Sequence, residues 1–407
     1  MDVAITIKNF KSLSNITLEP GRVNVFIGAN GTGKSALLEA IGVLSAAIAD
    51  KVDDAILNFK GVRLGTPSLY KSSFKDHERL PVTIEFNVKW RNEEGQWGYT
   101  VNLNNPIEKP KPAWEYHSES LFVNETKVFG RSRNSKYKLE NFPEIEIDAY
   151  KGLLSFLQGI RRDEISGYAG GYANDLYEMF KDYAIYTPNT TTLRGIQTDP
   201  LQREPVGLLG GRLPEAVDDL LDIEKETFGS MDLYDLLDLL NWAKAIGVGK
   251  PSKDIVSPNI PMTAKTIRFT DRFMREGRSE LTPYDASEGS LYVLFLLALA
   301  MHAKSPNLFS IDNFDQALNP RLARTITKAF CDRIIEAGKT VFITTHNPLV
   351  LDGLDLSDER IRLFTVDRNL NGHTQIDRVV VNEKLLETGN SLSKLWVMGM
   401  LGGVPDL

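Results

Sequence analysis

The chain has 407 residues, 42% of them hydrophobic and 25% charged, with a formal net charge of −7 and a single cysteine, Cys331. These values predict a soluble globular protein with room for one large or two ordinary domains. They exclude an internal disulfide, and they exclude a global electrostatic pull toward nucleic acid or an anionic membrane, though not a local basic groove.

The start, DVAITIKNF, alternates apolar and polar residues as a strand does, and it carries neither the basic start nor the apolar core of a signal peptide. NITLEPGRVNVFIG follows as strand, Pro-Gly turn and strand. The helix after Ser35 is expected to run to about Ala49, with an irregular polar stretch from Asp50 to Leu80. PVTIEFNVKW and GQWGYTVNL read as a hairpin around RNEEG, residues 104–113 as an exposed loop, and ESLFVNETKVFG as a second hairpin. From Tyr150 the character turns helical. LYDLLDLLNWAKAIG places Leu233, Leu236, Leu237 and Leu240 on one helical face, with Asp232, Asp235 and Asp238 interleaved as a solvated one. TIRFTDRFM returns to alternation. The longest apolar run, Leu291 to Ala303, is too short to span a bilayer and reads as a buried helix. NLFSIDN is a buried strand, PRLARTITKAFCDRIIEAG a helix that packs Cys331, KTVFITTH a second buried strand, and IRLFTVDR with TQIDRVVV a closing pair.

Chemistry concentrates first in FIGANGTGKSALLEAIG. Gly28, Gly33, Lys34 and Ser35 fit the phosphate-loop pattern G-x-x-x-x-G-K-[ST] between a strand and a helix. Glycines bring backbone N–H groups to the phosphates, and the helix aims its positive dipole end at the same anion. Lys34 would reach the outer phosphates and the Ser35 hydroxyl a magnesium ion. The plain counterpart is a tight glycine turn before a core helix. In the last third, LFSID ends an apolar strand on Asp312, where P-loop enzymes hold magnesium, and VFITTH ends on His346. NFDQALNP lies between them, and DASEGSLYVLFLLALA just upstream.

In this order of motifs the sequence resembles the ABC-class ATPases of the SMC, RecF and OLD type. ASEGS (Ala286 to Ser290) stands where their signature motif stands, QALNP (Gln316 to Pro320) at their D-loop, and His346 at the switch-histidine position. IKNFKSL matches their opening motif, and YTPNTTTLRG is similar to a segment of small OLD-like ATPases. The resemblance covers roughly residues 1–100 and 255–370. It implies an α/β fold: an ABC-type ATPase head whose mostly parallel core sheet carries an antiparallel β layer and a helical insertion. The whole of 1–407 would be one head, with an N-terminal lobe over 1–125, the insertion over 150–250 and a C-terminal lobe over 255–407.

The resemblance further implies ATP and Mg2+ as cofactors. Lys11, Asn30, Gly31, Thr32, Gly33, Lys34, Ser35 and Ala36 would bind the nucleotide, with Ser35 and Asp312 on the metal. Ser287 and the Gly289 N–H would cap the γ-phosphate of a second head, giving a head-to-head dimer or an oligomer of dimers. Catalysis would involve Asn313, Asp315 and His346. Here the sequence departs from the family, which usually has Glu after the magnesium aspartate. Asn313 can position water but cannot take its proton. Asp315 is the nearest spare carboxylate, so either Asp315 serves or hydrolysis is slow.

One stretch, KVFGRSRNSKYK, could touch nucleic acid through Lys127, Arg131, Arg133, Lys136 and Lys138 interleaved with Phe129 and Tyr137, against the plainer reading of an exposed polar hairpin. One cysteine and five scattered histidines make no zinc pattern. By resemblance to ATPase subunits of bacterial anti-phage systems such as PARIS, Septu and abortive-infection pairs, the chain is expected to be cytoplasmic. There it would scaffold or restrain a separate effector, a nuclease or toxin, with no membrane role. The rivals are a RecF-like repair ATPase acting on DNA directly and a non-hydrolysing scaffold with structural ATP.

Overall fold

The computed structural model describes residues 2–92, 95–132, 138–139, 142–158, 167–250, 265–380 and 390–403. Two six-stranded sheets carry the architecture among them. The first is antiparallel and comprises β1 (Asp2–Phe10), β2 (Leu13–Leu18), β4 (Ile84–Asn92), β5 (Gly95–Asn104), β6 (Glu115–Val123) and β7 (Thr126–Arg131), in the order β2-β1-β4-β5-β6-β7. Alternation makes it one-sided: Ile5, Ile7, Phe86, Val88, Tyr99 and Val101 are buried beneath it. β6 and β7 are joined by Asn124 and Glu125, both at positive φ, as a two-residue hairpin turn requires.

The second sheet holds β3 (Val23–Ile27), β10 (Ile185–Tyr186), β17 (Leu308–Ile311), β18 (Thr340–Thr344), β19 (Ile361–Arg368) and β20 (Thr374–Val379), in the order β10-β17-β18-β3-β19-β20. All its pairings are parallel except β19 with β20. Both faces of its central strands are covered, so β3, β17 and β18 read as near-continuous apolar runs. On one face Phe342, Phe26 and Phe364 stack across three neighbouring strands, at ring distances of 6.0 and 5.1 Å. On the other face Val25, Ile27, Phe309, Ile311 and Ile343 join the second core cluster.

Helix α1 (Lys34–Ala49) lies in the core shared with the antiparallel sheet, and fourteen of its sixteen residues are buried. The opposite face of the parallel sheet is covered by α9 (Glu288–Met301), apolar all round, and by α10 (Pro320–Glu336), which is amphipathic, with Cys331 buried. Asp50 to Leu80, expected to be irregular, forms two short helices, α2 (Asp54–Phe59) and α3 (Pro67–Tyr70), the first capped by the Asp53 carboxylate.

Among the described residues of 150–250 the structure is mixed rather than helical. It contains α4 (Leu153–Gln158), α5 (Gly167–Phe180), α6 (Thr190–Leu193), α7 (Leu213–Leu220) and α8 (Leu233–Leu240), but also β10, which adds to the core sheet itself. The predicted long helix stops at Leu240. Asn241, at φ 62°, breaks it in the left-handed region that Asn tolerates. Ala243–Gly249 then pairs as a strand with Thr266–Asp271, so tertiary pairing overrides helical spacing. Two residues of the basic hairpin are also corrected, while Lys127 and Lys138 are exposed. Arg131 is fully buried against Glu119 at 2.9 Å, and Phe129 is core, so neither faces a nucleic acid. Arg133, Lys136 and Tyr137 lie outside the described residues.

Candidate functional site

The phosphate loop runs from the end of β3 into α1, and its glycines have identifiable steric jobs. A β-carbon on Gly28 would stand 2.1 Å from the Val366 carbonyl oxygen, and one on Gly33 2.3 Å from Thr374 Oγ1; both residues have positive φ. The loop is thus pressed against β19 and β20. Gly33 caps α1 without a side chain, leaving the first-turn N–H groups, those of Ser35 and Ala36 among them, free to meet an anion. Asn30 and Gly31 are exposed at the crest, and Thr32 is buried beneath it. Lys34 Nζ donates to the carbonyl oxygens of Gly28 and Ala29, both at 2.8 Å. Burial lowers its pKa to about 8, against the opposing pull of Asp312 and then Asp367.

Strand β18 lies between the phosphate-loop strand β3 and the acid-tipped strand β17, so the loop and both strand tips converge. Ser35 Oγ donates to Asp312 Oδ2 at 2.9 Å, joining residues 277 apart in sequence. That spacing matches the edge, about 2.9 Å, of an octahedron with the 2.0–2.1 Å legs of Mg2+. A hydroxyl and a carboxylate are hard oxygen donors, so the pair fits magnesium. Thr344 Oγ1 donates to the other carboxylate oxygen of Asp312 and accepts the Asn313 N–H at 2.9 Å. Thr345 Oγ1 donates to Asp315 Oδ1 at 2.5 Å. Sequence reading missed both threonines; their signal is the Thr-Thr pair just before His346.

Asn313 is exposed and has φ 57°. A left-handed turn residue favours Asn over Glu on backbone grounds alone. His346 is exposed at the tip of β18; partial burial and the Lys34 ammonium hold its pKa below the usual value, against the carboxylates of Asp315 and Asp312. Lys11 sits in the β1–β2 turn with its ammonium on the buried Glu39 of α1, which also accepts from Arg63 Nε at 2.5 Å. It therefore reaches the flank of α1.

Ser287 is the exposed N-cap of α9, and its hydroxyl caps nothing. A β-carbon on Gly289 would stand 3.4 Å from the Ala317 carbonyl oxygen, so the signature turn packs against Gln316–Pro320. The YTPNTTTLRG segment braces this turn: Thr190 bonds Glu288, Arg194 donates to the Tyr284 and Ala286 carbonyls, and Tyr292 donates to the Pro188 carbonyl. A cavity of about 890 Å³ opens beside it, lined by Ser287, Gly289, Trp242, Asn319 and Arg333 among others.

The tail LWVMGMLGG does not lie free. Leu395 and Trp396 are buried, the Gly403 N–H donates to Asp367 at 3.0 Å, and a β-carbon there would lie 3.5 Å from the Gly28 α-carbon. Val397, Met398 and Met400 remain exposed. No helix among the described residues is long and apolar enough to cross a membrane.

A glycine loop on a mostly parallel sheet, a Ser–Asp pair of magnesium spacing and an uncapped signature helix define a P-loop ATPase of the SMC/RecF-like class. The chain belongs to the family described as "AAA domain, putative AbiEii toxin, Type IV TA system", whose model matches residues 23–352. An uncharacterized protein of Methanocaldococcus jannaschii is 26% identical over 131 residues, 29% of this chain and 59% of that protein. The DNA replication and repair protein RecF of Renibacterium salmoninarum is 31% identical over 108 residues, 25% of each chain. The chain thus spans less than two thirds of either relative. Among solved structures, the SMC head domain from Thermotoga maritima is 14% identical with a TM-score of 0.45, covering 94% of this chain and 100% of that one. An Smc head bound to the C-winged helix domain of ScpA is 14% identical with a TM-score of 0.49, covering 94% and 98%.

Proposed function

We propose that this chain binds ATP with Mg2+ on the phosphate loop, pairs head-to-head on ATP, hydrolyses it slowly and thereby controls a separate effector protein in the cytoplasm, in bacterial anti-phage defence. The observation that carries the nucleotide reading is the Ser35–Asp312 contact, which joins the loop to the acid-tipped strand at magnesium spacing. Lys34, Asn30, Gly31, Thr32, Gly33, Ser35 and Ala36 hold the phosphates, and Ser35 and Asp312 the ion. Head pairing is supported by the exposed, unused hydroxyl of Ser287 above Gly289 at a helix N-terminus. In the pair it meets the γ-phosphate carried by the other head. Asn313 at the water position supports slow turnover, below about one per second, because a general base contributes about 10²–10⁴ in rate. Asp315, His346 and Lys11 are assigned supporting roles toward the γ-phosphate, the attacking water and the nucleotide.

The effector, a nuclease or toxin, rests on the family's description and on resemblance. A second reading, direct DNA binding in repair, is favoured by the RecF relative. The two separate in one experiment with the purified chain. ATP-dependent, salt-sensitive DNA binding would support the repair reading. Co-purification of an effector with no such DNA binding would support the defence reading.

A further inference from the structure

We propose that Asp76, His77 and His373 form a binding site for a zinc-class divalent cation, which pins the loop before β4 to the β19–β20 hairpin. The sequence, with one cysteine and scattered histidines, carries no spacing that announces it. Folding brings the three together across nearly three hundred residues, and one ligand atom of each lies within 4.8 Å of the other two.

The geometry suits the ion. His373 Nε2 stands 3.2 Å from either carboxylate oxygen of Asp76. A tetrahedron with 2.0–2.1 Å legs has an edge of about 3.3–3.4 Å. His77, its ligand atom within 4.8 Å of the other two, closes in to complete a third vertex, and exposed Asp76 leaves the fourth open to water. Both histidines are positioned by their surroundings. The His77 N–H donates to the Phe74 carbonyl in a turn, while Asn369 Oδ1 accepts the His373 N–H at 2.9 Å. The Phe74 ring lies 4.0 Å from that of His373 and 5.3 Å from that of His77, giving the cluster an apolar shelf. Imidazole nitrogens select zinc or cobalt over magnesium. The neighbouring residue sets the site beside the phosphate loop: Thr374 Oγ1 donates to the Thr32 carbonyl at 2.7 Å and is hydrogen-bonded to Ser12 Oγ at 2.8 Å.

The test is a titration of the whole chain with Co2+ in excess Mg2+, read by visible absorption. One equivalent should give the intense band of tetrahedral Co2+, displaced by Zn2+. His77→Gln and His373→Gln should each weaken that binding by more than about 100-fold, beyond what losing an outer partner costs, while ATP titration of the same variants stays unchanged. In the unsubstituted protein Zn2+ should protect both histidines from diethyl pyrocarbonate. The proposal is overturned if no tetrahedral band forms, if the band survives both substitutions, if it is lost in Asp312→Asn instead, or if Zn2+ leaves both histidines reactive.

Discussion

Lys34 is the most constrained cation of the site: it is buried, and it rests on two loop carbonyls. Lys34→Ala removes the charge opposite the outer phosphates, so nucleotide titration should show binding lost; unchanged affinity would place the nucleotide elsewhere. The same residue sets a pH dependence. Its pKa in the free chain is about 8, and a bound polyphosphate raises it. Above pH 8 binding must therefore take up a proton, and affinity should fall by up to roughly tenfold per pH unit. Below pH 8 Lys34 is charged in both states and contributes no slope. An affinity flat from pH 7 to 10 would mean that the ammonium does not meet the phosphates. Asn313 couples two effects. Glu there should raise steady-state ATPase several-fold by supplying a base. It should also cost about 1 kcal/mol of stability, because the position has φ 57°. If instead the wild type is fast and Asp315→Asn silences it, Asp315 is the base and slow turnover loses its motive.

The elements that hold the site are stabilised at a distance from it. Arg131, at the end of β7, is fully buried, and its guanidinium donates to Glu119 Oε2 and to the carbonyls of Asp148 and Lys151. Glu119 in turn accepts the Leu153 N–H and the Tyr99 hydroxyl. This network ties β5, β6 and β7 to the start of α4. Removing one member of a buried pair leaves the other charge uncompensated, at about 3–5 kcal/mol. Arg131→Ala should lose that much in urea unfolding, and a loss under 1 kcal/mol would show that water or a rearrangement takes over. Its effect on nucleic-acid binding should be nil apart from unfolding, which separates it from a surface arginine.

At the scale of the whole molecule, the signature turn is assembled from distant segments: α9, the Gln316–Pro320 turn and the Thr190–Arg194 brace. Its unused serine is the motive for pairing. Ser287→Arg should leave ATP affinity of the single head unchanged while abolishing ATP-dependent growth in light scattering. A variant that still pairs on ATP would count against the sandwich. Val397, Met398 and Met400 of the tail stay exposed, although Leu395 and Trp396 beside them are buried.

The phosphate loop, Asp312, the buried helix α9 and the strands of both sheets other than β10 were legible in the sequence, because each is local. Glycine spacing, period-two alternation and unbroken apolar runs report backbone freedom and burial without needing a partner. What the sequence left open depends on partners far along the chain. The Ser35–Asp312 contact, the threonines that hold Asp312 and Asp315, and the left-handed turn at Asn313 all arise where β3, β17 and β18 lie side by side. Ala243–Gly249 became a strand because Thr266–Asp271 offered it hydrogen bonds, and Arg131 left the surface because Glu119 offered it a counter-charge. His77 and His373 met only because the β19–β20 hairpin folds over the loop before β4. Local pattern decides what each segment can be, and long-range pairing and charge compensation decide which of those options is taken.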